Sequence, residues 1–188
     1  MGLNMGALMN QYQGNDHSGS KRLPAAGLHI GVFANFGGDV FSFNPGINIT
    51  TKGCMNKGTD LNYTAKSNFN YIELPLLLRI TLGENDFNGY INAGIYGAFM
   101  MSGKTKVKSD LTTETSKIDF ATDNYRRFDV GAIIGGGVQY ELGPGKLFFD
   151  ARFGMRFIGI DSNPSTDDKP LLNFTPTLAV GYMYAFGK

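Results

Sequence analysis

The amino-acid sequence predicts an all-β fold: an eight-stranded, antiparallel, up-and-down β-barrel that crosses a lipid bilayer. Apolar and polar residues alternate strictly in seven long segments, which is the pattern of strands with two different faces. Glycine supplies 26 of the 188 residues, about twice its usual share, and it is spread through the apolar segments, where it would weaken a helix. The connections between segments alternate between short and long.

The first half of the chain contains one short alternating segment and four long ones. In the short segment, Leu3, Met5 and Met9 alternate with Asn4 and Gly6. It predicts a first strand that is cut at its N-terminal end, so we expect a missing stretch of chain before it. The four long segments predict strands over residues 27–37, 40–51, 69–82 and 89–102.

The second half repeats the pattern in segments 128–142, 147–160 and 173–186. The seven long predicted strands have 11–15 residues each, whereas strands of ordinary globular proteins usually have about 5–6. A tilted strand needs about 9–11 residues to cross the hydrocarbon core of a bilayer. The strand lengths therefore favour a single membrane-spanning domain over residues 1–188.

The connections between the predicted strands also fit a membrane-spanning barrel. Short segments rich in Gly, Pro, Asn and Asp predict tight turns at 37–39, 83–88 and 143–146. Long polar segments predict loops at 10–26, 53–68, 103–127 and 161–172. In outer-membrane barrels the turns are periplasmic and the loops are extracellular, so we expect a bacterial outer-membrane protein with both termini on the turn side.

Composition excludes several other classes. The chain has 17 Lys and Arg against 16 Asp and Glu, so no basic field predicts a nucleic-acid partner. A single cysteine, Cys54, and two histidines exclude an internal disulfide framework and leave little material for a metal centre. We therefore predict no cofactor. The longest apolar run, 72–78, is far shorter than a membrane-spanning helix.

The two-residue alternation alone does not determine which face of the strands points into the barrel. A soluble, lipocalin-like ligand carrier has the same alternation with its apolar face inside. Here the apolar faces carry almost no charge, and aromatic residues gather near both strand ends, as in the girdles of membrane barrels. The turn-side aromatics are Phe36, Phe41, Phe87, Tyr140, Phe149, Tyr184 and Phe186, and the loop-side aromatics are Phe69, Phe99, Phe128, Phe157 and Phe174. We therefore expect the apolar face to contact outer-membrane lipid.

The segment from Asn70 to Arg79, NYIELPLLLR, resembles the "YLEIPLLLK" strand of the PorT-like outer-membrane β-barrel family of Bacteroidota. The segments 2–5, 90–96, 128–138 and 150–154 resemble other strands of that family in the same order, and 178–186 resembles its closing "GYRF" strand. The resemblance implies an eight-stranded barrel that the barrel-assembly machinery inserts. It implies no activity, although PorT itself is associated with type IX secretion. Unlike the family pattern, Phe186 is followed by two further residues.

The predicted inner faces carry a polar network. Its members are Glu73, Arg79, Asp129, Glu141, Asp150, Arg152 and Arg156. Because eight strands enclose only enough space for side chains, we expect a packed lumen. Counting outward from the turn at 143–146 places Gly137 opposite Arg152, Gln139 opposite Asp150 and Ile133 opposite Arg156. The alternative is a narrow channel that conducts anions or protons past the arginines.

An enzyme is not predicted. Asp16, His17 and Ser18 are adjacent in sequence, so their side chains point apart, unlike those of a catalytic triad. His29 is expected on the lumen face of its strand. The three glycines at 135–137 lie within a strand and are not followed by a helix, so they do not form a phosphate-binding loop.

The long loops offer the better binding surface. Segment 103–127 contains six cations and four carboxylates, and its alternation predicts a hairpin that continues above the membrane. The candidate binding residues are Lys104, Lys106, Lys108 and Lys117. We expect a non-enzymatic barrel that acts through such loops as a membrane anchor or as a partner-binding subunit of a surface or secretion complex. Anionic surface sugars and a partner protein both remain open as what the loops contact.

Overall fold

The structure is a computed structural model that describes residues 1–10, 20–58, 64–83, 86–109, 112–118, 127–157 and 174–184. These residues form ten strands. In chain order they are β1 (Gly2–Asn10), β2 (Ser20–Phe33), β3 (Phe36–Gly37), β4 (Phe41–Gly58), β5 (Thr64–Leu82), β6 (Phe87–Lys108), β7 (Thr113–Lys117), β8 (Phe128–Leu142), β9 (Gly145–Arg156) and β10 (Phe174–Tyr184). The described part of the chain contains no helix with the length and apolar character needed to span a membrane.

Eight of these strands close a barrel. Each pairs antiparallel with the next in the order β1, β2, β4, β5, β6, β8, β9 and β10, and β10 then pairs with β1 from Gly2↔Met183 to Leu8↔Thr177. The short β3 and β7 pair with β4 and β6. At the seam, the Met1 amino group donates to the Tyr184 carbonyl oxygen at 2.9 Å. The predicted eight-stranded, up-and-down barrel is confirmed.

The apolar faces point away from the barrel axis. On β5, Leu78 is 65% exposed, while its neighbours Leu77 and Arg79 are each 3% exposed. The outward apolar row of β5 runs from Ile72 to Leu82, a distance of ten residue-to-residue steps. At a strand tilt of about 40° that row spans about 25 Å along the membrane normal, which is the height of the apolar band of outer-membrane barrels. This arrangement is the reverse of a lipocalin-like carrier.

The tight turn between β8 and β9 corrects one expectation. Leu142 pairs directly with Gly145, so the turn contains only Gly143 and Pro144. Gly143 has a φ of 61°, which suits the first central position of a two-residue hairpin turn. The register therefore differs by two residues from the predicted one, because the sequence predicts a four-residue turn over 143–146. The observed pairs are Gly135↔Arg152, Gly137↔Asp150 and Gly131↔Arg156.

The strands extend further towards the loop side than predicted. Most of segment 53–68, expected to be a loop, belongs to β4 and β5, and β2 already begins at Ser20. Above the membrane both faces of a strand meet water, so no apolar alternation marks it in the sequence. The predicted hairpin after residue 103 is confirmed, because β6 continues to Lys108 and pairs with β7. The predicted loop 161–172 and the Asp16–His17–Ser18 group lie outside the described residues.

Most of the described aromatic residues predicted to lie at the strand ends do point outward. Phe36, Phe41 and Phe87 are 60–67% exposed on the turn side, and Phe128 is 70% exposed on the loop side. Phe69 does not belong to this set, because it is 3% exposed and lies inside the barrel. It has the same parity along β5 as the inward-facing residues that follow it. The side chains of the aromatic residues at positions 174 and 186 lie outside the described part of the chain.

Candidate functional site

Two ionic clusters fill the described part of the lumen. The loop-side cluster joins Lys52 of β4, Glu73 of β5, Asp129 of β8 and Arg156 of β9. The Lys52 Nζ lies 2.9 Å from Glu73 Oε2 and 3.7 Å from Asp129 Oδ2, and Arg156 Nη2 lies 2.5 Å from Asp129 Oδ2. Every side chain of the cluster is at most 10% exposed. Two cations and two carboxylates thus neutralise one another across four strands.

Aromatic side chains surround the loop-side cluster. The Lys52 ammonium group lies 5.3 Å from the ring centre of Tyr71 and 4.9 Å from that of Tyr96. The Tyr96 hydroxyl donates a hydrogen bond to Asp129 Oδ1 at 3.5 Å. Cation–π contacts of this length add to the stability of a desolvated lysine. The tyrosines therefore hold the ammonium group between its two carboxylate partners.

The turn-side cluster is built around Asp150 of β9, which is 0% exposed. One of its carboxylate oxygens accepts from Arg152 Nε at 2.5 Å, and the other accepts from the Tyr90 hydroxyl at 2.8 Å and from Asn92 Nδ2 at 3.1 Å. Arg79 stacks on the Tyr90 ring at 3.9 Å. Three donors satisfy this fully buried carboxylate, so Asp150 acts as the structural centre of this layer.

The lumen between the clusters is nearly full. A cavity of about 30 Å³ is lined by His29, Lys52, Glu73 and Arg152 among others. A second cavity of about 10 Å³ lies beside Arg79 and Arg152. The larger space holds about two water molecules, and the smaller holds about one at most. They favour the packed lumen over the alternative of a solute channel.

Of the seven residues predicted to form the lumen network, six lie in these two clusters. Glu141 lies apart from them at the end of β8, next to the turn, where its side chain is 48% exposed and pairs with Lys146 at 3.1 Å. Lys52 was not among the predicted residues, although Thr50 and Lys52 continue the polar face of β4. The predicted strand ends at residue 51, just before Lys52, whereas β4 continues to Gly58.

His29 of β2 points into the lumen, as expected. Its Nε2 atom lies 2.6 Å from Asn4 Oδ1 of β1, so the ring is held by a neighbouring strand. The described residues contain no group of three His, Cys, Asp or Glu side chains that is suited to hold a metal ion. The bond to Asn4 ties the imidazole to the lumen wall.

The second candidate site is the loop-side extension, defined here as residues 53–58, 64–70, 102–108 and 113–117. It is the part of the sheet in which β4, β5, β6 and β7 continue beyond the apolar band, and β2 pairs with its outer edge at residues 54–58. Lys104, Lys106, Lys108 and Lys117 are all exposed on it. Lys104 pairs directly with Lys117, and Lys106 pairs with Lys66. The extension therefore brings the four predicted binding residues together.

These features define a transmembrane β-barrel with a packed lumen and a basic loop-side surface. The chain belongs to the outer membrane protein beta-barrel domain family, whose family model matches residues 1–161. It is accordingly a protein of the bacterial outer membrane. Comparison with curated proteins finds no match.

Several solved structures are similar to this chain. The outer membrane protein OprG from Pseudomonas aeruginosa is 12% identical, with 98% of this chain and 95% of that chain covered and a TM-score of 0.47. Neisserial surface protein A is 12% identical, with 96% and 94% covered and a TM-score of 0.46. The outer membrane enzyme PagL is 10% identical, with 95% and 97% covered and a TM-score of 0.36.

Proposed function

We propose that the protein is a non-enzymatic outer-membrane barrel that acts at the cell surface through its loop-side extension. Its role is that of a membrane anchor or a partner-binding subunit, and the surface or secretion complexes of Bacteroidota are the setting that the PorT-like strand pattern favours. The observation that carries the proposal is the division of the molecule into a closed lumen and an exposed, charged extension. Because the interior of the barrel is packed with side chains, any binding partner must contact its outer surfaces.

The pairing of the lumen charges supports a role without catalysis. Asp129 and Asp150 each accept bonds from neighbouring cations or hydroxyl groups at 2.5–3.5 Å. A general acid or base needs an open path to a substrate atom. These carboxylates are instead enclosed by strands, where they hold the barrel together.

The barrel-assembly machinery is the proposed partner during biogenesis. The last strand, β10, ends in alternating aromatic residues, Tyr182 and Tyr184, and it pairs with β1 to close the barrel. The strand that completes the closure is thus also the strand that resembles the closing "GYRF" strand of the PorT-like family.

Deletion of the hairpin tip tests the proposed surface role. Lys104 and Lys117 are paired neighbours, so residues 105–116 can be replaced by Asn-Gly, which suits a two-residue hairpin. We expect this variant to fold, because the replacement leaves every barrel strand intact within the apolar band, and to lose the proteins that co-purify with the full chain after mild crosslinking. The readouts are the gel shift on boiling and the composition of the purified complex.

A matched control replaces Gly143-Pro144, on the opposite side of the membrane, with the same Asn-Gly pair. That variant should retain the co-purified proteins. Retention of the same proteins by the hairpin deletion would mean that the extension is not the interaction surface.

A further inference from the structure

We propose that the outward face of the loop-side extension binds phosphate groups of the glycolipid that surrounds the barrel in the outer leaflet. The inference rests on the proposed function, since it names what the extension contacts. Its ligand is a membrane lipid and not a soluble protein or polysaccharide.

The side chains that face the barrel axis fix the orientation of the extension. Phe69 is 3% exposed inside the barrel and is paired with Gly103. A Cβ atom built on Gly103 would lie 2.6 Å from Ile118 Cδ1, so the Ile118 side chain packs over the same inner face. Because successive residues of a strand alternate between faces, the neighbours Lys104 and Lys117 lie on the outer face.

The same alternation places six lysines on the outer face. Pairing across the strands links them into one surface. They are Lys57, Lys66, Lys104, Lys106, Lys108 and Lys117. Among the described residues of the extension the single carboxylate is Glu114, which pairs with Val107 and therefore lies on the inner face.

This surface contains two like-charged pairs that are direct cross-strand neighbours, Lys66 with Lys106 and Lys104 with Lys117. Like charges in that position destabilise a sheet. None of the six lysines makes an ion pair with another residue that the structure describes. An external anion would relieve the repulsion, and several phosphates would relieve it along the whole row.

The height of the lysines above the apolar band selects a lipid ligand. On β5, Lys66 lies six residues beyond Ile72, the last outward apolar residue, and Asn68 and Asn70 lie between them. Six residues of a tilted strand rise about 15 Å along the membrane normal. That is the level of lipid headgroups and the sugars attached to them, and long lysine side chains can reach down towards the interface.

The direction of the side chains points to the same ligand. The lysines extend sideways from the barrel wall, over the neighbouring lipids, whereas a soluble partner would approach from above. Basic residues close to an anionic membrane surface each strengthen binding by about fivefold. A row of six on one face therefore suits a layer of phosphorylated glycolipid.

Counting bound lipid tests the proposal. The full chain, folded in a nonionic detergent, is mixed with diphosphoryl lipid A, and native mass spectrometry measures how many molecules stay bound. The variant carries K66Q, K104Q, K106Q and K117Q, and a control carries Lys146→Gln on the turn side. We expect the control to match the unmodified protein and the fourfold variant to bind at least about 100-fold more weakly, given about fivefold per lysine.

Two further measurements control for misfolding and for binding through the acyl chains alone. The gel shift on boiling reports whether the fourfold variant folds. If the fourfold variant does not fold, the single variant K104Q and the salt dependence of the unmodified protein are measured in its place. The unmodified protein should then bind lipid A more weakly as the salt concentration rises above about 0.15 M. Lipid A stripped of both phosphates should bind weakly to all forms, because it keeps the acyl chains but offers the lysines no anion.

The outcomes separate this proposal from the proposed function. Equal binding of lipid A by the folded variant and the unmodified protein overturns the lipid proposal, as does tighter binding of soluble dextran sulfate than of lipid A. Loss of a co-purified protein from the fourfold variant, with lipid A binding intact, also overturns it and leaves the surface role standing. Loss of lipid A binding alone supports it.

Discussion

At the residue scale, the lumen depends on charge balance more than on any single contact. Lys52 contacts both carboxylates of the loop-side cluster, and Arg156 contacts one of them. Burying charges costs several kcal/mol unless they are paired. The four groups are neutral as a set, and removal of one member leaves an unbalanced charge that the surrounding tyrosines cannot compensate.

This balance predicts the outcome of substitutions at the cluster. Lys52→Met and Glu73→Gln should each destabilise the barrel by about 3–5 kcal/mol, because each leaves a buried partner unpaired. The double variant restores neutrality and should lose less than the sum of the two. Urea unfolding in a lipid or detergent system, followed by the gel shift on boiling, measures these differences.

The exposed pair on the turn side serves as the control. Glu141→Gln and Lys146→Met should each change stability by at most about 1 kcal/mol, as expected of exposed ion pairs. Comparable losses of stability at the two sites, or strictly additive effects at Lys52 and Glu73, would show that burial does not determine how much the lumen cluster contributes to stability.

At the element scale, the sequence predicts the parts of the strands that have one face against lipid. It does not predict the parts whose two faces both contact water. The alternation of Ile72 to Leu82 defines β5 across the membrane, but residues 64–68 of the same strand, which are mostly polar, carry no such signal. Register is less predictable still, because one misjudged turn length at Gly143 shifted every pair of β8 and β9 by two residues. The prediction for Phe69 is wrong because it follows the grouping with other aromatic residues, whereas the two-residue alternation along β5 places Phe69 on the inner face.

Glycines on the inner face should be less replaceable than glycines on the outer face. A Cβ atom on Gly131 would lie 2.1 Å from the Met155 carbonyl oxygen and 2.5 Å from Tyr96 Cε1, whereas one on Gly97, on the adjacent strand, would meet nothing within 4 Å. We expect Gly131→Ala to destabilise the barrel by about 1–3 kcal/mol through overpacking. Gly97→Ala should leave stability unchanged or raise it slightly. Denaturant midpoints compare the two, and equal midpoints would contradict the packed lumen.

At the scale of the whole molecule, closure depends on the seam between β1 and β10. Strand β1 pairs with β10 on one side and with β2 on the other. Removal of residues 2–10 therefore leaves both β10 and β2 without a hydrogen-bonding partner along one edge. We expect this variant to lose the faster-migrating unboiled band that marks a closed barrel. The hairpin deletion, in contrast, should keep that band, and a shift that survives without β1 would mean that the seam is not needed for closure.

The seam also sets the order of events during folding. Met1 and Tyr184, which bond at the seam, are separated by 183 positions along the chain, and contacts between such distant segments form slowly. The strand that seals the sheet, β10, follows every other described strand along the chain. Until it arrives, β1 and its growing sheet expose an open edge, and open edges invite aggregation. The time that a newly made chain spends crossing the periplasm unsealed is therefore the period in which it most needs a chaperone.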